Sequence, residues 1–108
     1  FIVSAGRDPR GLPVLAKDDL VVGHVTDMWV DLPEHLVRYV EFELAEGFGS
    51  GKRLVPIGMA RIKNKWVQIA SLASKDFSNV PTIASDSQIT KLEEEKVSAY
   101  YGGGALYS

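Results

Sequence analysis

The 108-residue chain has no cysteine, and it carries only two histidines, two methionines and two tryptophans. Without cysteine there is no disulfide scaffold, no thiolate metal site and no cysteine nucleophile, which fits a reducing compartment. His24 and His35 stand in no recognised ligand spacing, and a metal site ordinarily needs three or four convergent ligands, so none is expected. Long hydrophobic runs are also missing: no stretch approaches the roughly 20 apolar residues that span a bilayer. Charge is close to balance, and a net charge of -2 gives no electrostatic footprint for nucleic acid or an anionic membrane. Ser4, Ser71 and Ser74 lack a nucleophile-elbow context, so no triad can be built and no enzymatic activity is expected. The glycines between Ala45 and Gly51 do not make a phosphate loop. They lead into a strand pattern containing Pro56 rather than into a helix opened by a lysine and a hydroxyl.

What is present suits one small globular domain. A hydrophobic content of 45% with 24% charged residues is ordinary. A chain of this length buries about two-thirds of its unfolded surface. Residues 20–30 form the strongest strand signal. Val21, Val25 and Trp29 share one parity and Val22, Met28 and Val30 the other, as in a strand covered on both faces. Gly23 marks a bulge or a close approach of another backbone. Pro33 restricts Leu32 to extended geometry, so Leu32-Pro33-Glu34-His35 reads as a β-turn with proline second and Glu34 third. Residues 38–44 then alternate, with Val40, Phe42 and Leu44 inward and Glu41 and Glu43 on a wet face.

Elsewhere the signals are shorter. Residues 1–10 read as an irregular lead-in, residues 12–15 as a short edge strand, residues 53–57 as a strand, and residues 60–63 and 65–70 as a pair turning at Lys63-Asn64. Residues 72–77 hold a helical turn, and residues 80–83 are extended. A helix is expected over about 86–101. Ser85 and Gln88 supply capping-box spacing, Ile89, Leu92, Lys96, Val97 and Tyr100 form a stripe, and Gly102-Gly103-Gly104 ends it. Glu93, Glu94 and Glu95 read as a solvated face, Tyr100-Tyr101 as packing, and the tail at 105–108 as apolar enough to need a partner surface. The fold class is mainly β: a small barrel of short antiparallel strands with one C-terminal helix.

The hairpin gathers Asp31, Glu34, His35 and Arg38 at one end of the sheet, and here the residues carry a resemblance. Val25-Thr26-Asp27-Met28-Trp29-Val30-Asp31-Leu32-Pro33-Glu34 with Arg38-Tyr39-Val40-Glu41-Phe42-Glu43-Leu44 resembles the cytoplasmic PRC-barrel domain of the H subunit of purple bacterial photosynthetic reaction centres. So do Phe1-Ile2-Val3-Ser4-Ala5-Gly6-Arg7 with Gly11-Leu12-Pro13-Val14, Val80-Pro81-Thr82-Ile83, and Leu92-Glu93-Glu94-Glu95-Lys96 through Tyr107. The resemblance implies a single PRC-barrel domain over 1–108, excised from a chain whose membrane-spanning helix lies upstream; a start at Phe1 fits that expectation. It also implies a cap on the cytoplasmic face of the inner photosynthetic membrane, bound to the L and M subunits, with Asp31 and Glu34 relaying protons toward the secondary quinone and Arg38 acting electrostatically beside them. No cofactor is implied on this chain; bacteriochlorophyll, bacteriopheophytin, quinone and iron would sit on the partners. The excised domain could associate with itself through its exposed docking face. The alternative is a stand-alone PRC-barrel adaptor for protein or ribonucleoprotein binding, as in ribosome maturation factors.

Overall fold

A computed structural model describes residues 8–103. The first seven residues of the lead-in, Gly104 and the tail at 105–108 lie outside the described residues. Six strands follow in order: β1 (Pro13–Leu15), β2 (Val21–Asp31), β3 (Leu36–Leu44), β4 (Lys52–Pro56), β5 (Arg61–Ile62) and β6 (Val67–Gln68). Short 3-10 turns occupy Ile57–Met59 and Ser74–Asn79, and one helix, α1 (Lys91–Gly103), closes the described chain. The strands make one sheet in the order β4-β3-β2-β1-β6-β5. The fold is thus mainly β with a C-terminal helix, as expected, and has the form of a small PRC-type barrel. It departs from the expectation in two respects. β1 pairs in parallel with β6, and β1 lies inside the sheet rather than at its edge. Pro13 is tolerated there because it is the first residue of its strand.

The long β2–β3 ladder carries bulges, and they explain how β2 is buried. Val22 is the extra residue opposite β1, and Thr26 is the extra residue opposite β3. An inserted residue kinks a strand, strengthens its twist and changes which parity faces inward. Val22 and Val25 are both in the core although their spacing is odd. Cover on both faces is met only in part. Val21 is 41% exposed, whereas Met28, Trp29 and Val30 are half-buried. Gly23 is the close-approach point anticipated from sequence: a Cβ built there would lie 2.2 Å from the carbonyl oxygen of Glu43.

Val14, Val40, Phe42, Val55, Val67, Ile69 and Leu72 fill the interior, each fully buried. Phe77, from the second 3-10 turn, stands edge-on to both Phe42 (ring centroids 6.1 Å) and Tyr101 (6.5 Å), so α1 and that turn plug one end of the core. Each such side chain contributes about 1.5–3 kcal/mol by leaving water. Tyr101 and Val97, one helical turn apart, are the face that α1 buries, and Tyr100 donates its hydroxyl to the carbonyl of Asp76 at 2.7 Å. Burial raises the Tyr101 phenol well above its ordinary value.

The helix begins five residues later than the sequence suggests. Thr90 and Glu93 form the capping box: the Thr90 hydroxyl accepts the Glu93 N–H (3.1 Å), and the Glu93 carboxylate accepts the Thr90 N–H (2.9 Å). Ser85, which has the same spacing to Gln88, instead accepts the N–H groups of Ser87 and Gln88 in a local turn. Leu92, placed in the apolar stripe by periodicity, is 60% exposed.

Glu93 is more than part of a solvated face. Its second oxygen accepts the N–H of Ala84 at 2.9 Å, so one carboxylate ties both ends of the segment between Ala84 and Thr90. The two backbone N–H donors, Thr90 foremost, lower its pKa from the ordinary 4.5. A lowered folded-state value means the tie is complete above 4.5 and is lost only as pH falls through the lowered value. In an NMR pH titration, the Ala84 and Thr90 amide resonances should therefore hold their neutral positions past pH 4.5 and move together at lower pH. Movement centred at or above 4.5 would contradict the tie.

Candidate functional site

The hairpin joining β2 to β3 is closed by the Asp31↔Leu36 pair, leaving Leu32-Pro33-Glu34-His35 as the turn. The His35 N–H donates to the Leu32 carbonyl at 3.3 Å, which is the turn read from sequence, with Pro33 second and Glu34 third. His35 completes it with φ of 55°, a left-handed conformation that costs a non-glycine residue a little and is common where a chain reverses.

Asp31 organises this end. One oxygen accepts the backbone N–H of Glu34 (3.3 Å), and the other accepts Arg38 Nη2 (3.2 Å). The same Arg38 nitrogen lies 3.7 Å from Glu34 Oε1. One guanidinium thus bridges the two carboxylates, and the structure brings all three sequence-predicted residues together. The ladder explains how. The register runs from Trp29↔Tyr39 to Val30↔Val37, so Arg38 is the extra residue of a bulge on β3. A bulge re-aims the side chain it carries; here Arg38 meets Asp31 across the hairpin.

The cluster is open to water. Arg38 and Glu34 are half or more exposed, and Asp31 is 29% exposed. Exposed ion pairs contribute about 0–1 kcal/mol, so this one does little for stability and leaves the carboxylates available to solvent and partners. Leu32 at 74% and Leu36 at 50% exposure flank it with apolar surface. Among the described residues, no three histidine, cysteine, aspartate or glutamate side chains are grouped so that they could hold a metal ion.

Asp31 and Arg38 also line a cavity of about 570 Å³, together with Trp29, Tyr39, Ile89 and Glu94; Glu34 does not. Tyr39 is buried, and its phenol is raised chiefly by desolvation, then by the charge of Glu94, with Arg38 opposing. Sequence reading passed over Tyr39 and Glu94 as a strand residue and a wet helix residue. Nothing local in the chain indicates that residues 87–94 fold back over the end of β2.

On the other side of Trp29 lies a second cavity, of about 600 Å³, between the sheet and residues 81–86. Glu41 lines it. Alternation correctly puts Glu41 on the face opposite Phe42, but that face is not wet: Glu41 is only 7% exposed. Its Oε1 accepts the Trp29 indole N–H at 3.0 Å, and its Oε2 accepts the Thr26 hydroxyl. Thr26 reaches it because it is the bulged residue of β2. The sequence signal was a tryptophan and a threonine on the neighbouring strand, both able to donate to a carboxylate.

Comparison with known families matches residues 1–75, more than half of the chain, to the PRC-barrel domain. The chain belongs to this family. The matched part of the PRC barrel contains all six strands and the whole hairpin with Asp31, Glu34 and Arg38. The covering segment, residues 81–89, lines both cavities and α1 lines the 570 Å³ one through Glu94; both follow the matched part of the barrel. Among the described residues of this PRC-barrel protein, no helix is long and apolar enough to cross a membrane.

Proposed function

We propose that this PRC barrel is the cytoplasmic cap domain of a purple bacterial photosynthetic reaction centre, seated on the L and M subunits and assisting proton delivery to the secondary quinone. The observation that carries the reading is the hairpin end: Asp31 and Glu34 share Arg38, stay accessible, and sit beside exposed Leu32 and Leu36. Carboxylates held together at a surface can hand protons to one another, and each proximity to a further acid or loss of water on docking favours the protonated form. The Arg38 guanidinium lies beside both carboxylates, 3.2 Å from Asp31 and 3.7 Å from Glu34. The apolar leucines give the same surface something to bury against a partner. In this role the domain is not an enzyme and binds no cofactor of its own. Bacteriochlorophyll, bacteriopheophytin, quinone and iron belong to the subunits it covers. Its place is the cytoplasmic face of the photosynthetic membrane.

A PRC barrel can also serve as a free-standing adaptor for protein or ribonucleoprotein, and docking separates the two readings. The chain should bind an L/M core stripped of its H subunit and protect that core against thermal bleaching. Replacing Leu32 and Leu36 with serine should weaken the binding by tenfold or more, since each apolar anchor leaving an interface costs about 1–2 kcal/mol. Binding to ribosomal small subunits with none to the core would establish the adaptor instead.

A further inference from the structure

We propose that the cavity between the β3–β4 end of the sheet and residues 81–86 is a binding site for a small primary amine with an apolar body. The inference is independent of the proton-relay reading, which concerns the hairpin.

The volume, about 600 Å³, is that of a small-molecule site. Leu54, Pro81, Ile83 and Ala84 give it apolar walls, and Glu41 and Arg53 are buried charged groups among them. The Glu41 side chain is 10% exposed and is held in place by the Trp29 indole and the Thr26 hydroxyl, both neutral donors. Its charge is therefore oriented but not neutralised by either. The Lys52 ammonium stands 3.7 Å from Oε2 on a side chain that is 60% exposed. That contact is long and loosely held, and it marks where a cation sits against the carboxylate. Arg53 also lines the cavity: its Nη1 donates to the carbonyls of Ser50 and Lys52 and its Nη2 to that of Ser78, while its buried Nε has no hydrogen-bond partner. Asp86 adds a second negative charge to the rim. An anion would meet Glu41 and Asp86, whereas an ammonium can take the place of Lys52 Nζ beside Glu41.

Amide and indole NMR spectra of the chain, titrated with phenethylamine, test the site. A saturable shift is expected at the Trp29 indole N–H and at the Leu54 and Ala84 amides, with no response to phenylacetate. Lys52→Met removes the competing ammonium and should tighten binding about three- to tenfold, a typical effect of one charge at a partly exposed site. Glu41→Gln keeps an acceptor for Trp29 and a polar partner for Thr26, so the fold survives, yet affinity should fall at least tenfold. Nα-acetyl-lysine amide, run alongside, separates a free amine from a lysine borne on a protein. A tighter response to it than to phenethylamine would assign the site to a protein lysine and overturn the small-molecule proposal. Absence of a saturable shift in both wild type and Lys52→Met would overturn it too, as would equal affinity in wild type and Glu41→Gln or an equal response to phenylacetate.

Discussion

Replacing Gly23 with alanine is expected to leave little folded protein. The added methyl would lie 2.2 Å from the Glu43 carbonyl oxygen and 3.0 Å from its carbon, against backbone in the middle of the β2–β3 ladder. A flexible side chain could swing aside, but a paired strand can only move away, taking its hydrogen bonds with it. Overpacking a core by a methyl group typically costs about 1–3 kcal/mol, and a clash with ladder backbone lies at or beyond the top of that range. Small domains have only about 5–15 kcal/mol in total. Urea denaturation should show a loss of at least about 3 kcal/mol, or no cooperative transition at all. Gly58→Ala is the control. Nothing lies within 4 Å of a Cβ at that position, and the substitution should be neutral or gain about 0.4–1 kcal/mol by restricting the unfolded chain. A stable, cooperatively folding Gly23→Ala variant would show that the sheet is not seated as described.

Phe77→Ala should rank next, at about 3–5 kcal/mol. Phe77 is fully buried and is the ring that both Phe42 and Tyr101 meet edge-on, so truncation opens a hole where the 3-10 turn, the sheet and α1 join. The effect should also be directional. Because α1 is held to the barrel through Tyr101, Val97 and the Tyr100 hydroxyl, amides of α1 and of the covering segment should lose exchange protection before those of β2 and β3. Uniform loss across the sheet and α1 would mean that the helix is integral to the core rather than docked on it.

Much of the hairpin was legible in the sequence because its determinants are local. Pro33 fixes a turn, the residues before and after it alternate, and charges within seven positions are forced together once the strands pair. That brought Asp31, Glu34 and Arg38 to one place without knowledge of the rest. The failures share a cause: they depend on what lies across the sheet. Arg38 reaches Asp31 through a bulge, and bulges at Val22 and Thr26 shift the inward parity of β2; single-strand periodicity does not reveal an extra residue opposite a neighbour. Glu41 was read as wet because its own strand alternates, yet Trp29, Thr26 and residues 81–86 cover it. The helix start was misplaced because Ser85/Gln88 and Thr90/Glu93 have the same capping spacing. The second pair prevailed, with Glu93 also binding Ala84 and thereby fixing the segment before the helix. β1 lies inside the sheet only because β6, over fifty residues later, pairs with it.

The proposed proton relay runs through the Asp31–Glu34 pair in an assembled reaction centre. Its most direct test is flash-driven second electron transfer to the quinone, with coupled proton uptake, in L/M core reconstituted with an H chain containing this domain. The comparison is between wild type and the double variant Asp31→Asn, Glu34→Gln. Both substitutions are isosteric and leave Arg38 hydrogen-bond acceptors, so docking should be retained. Wild type should restore the rates, and the variant should slow both proton uptake and second electron transfer by about tenfold or more, since positioned proton-transfer groups ordinarily contribute about 10²–10⁴-fold. Equal rates in wild type and variant, with equal docking, would contradict it and leave the hairpin as a structural contact.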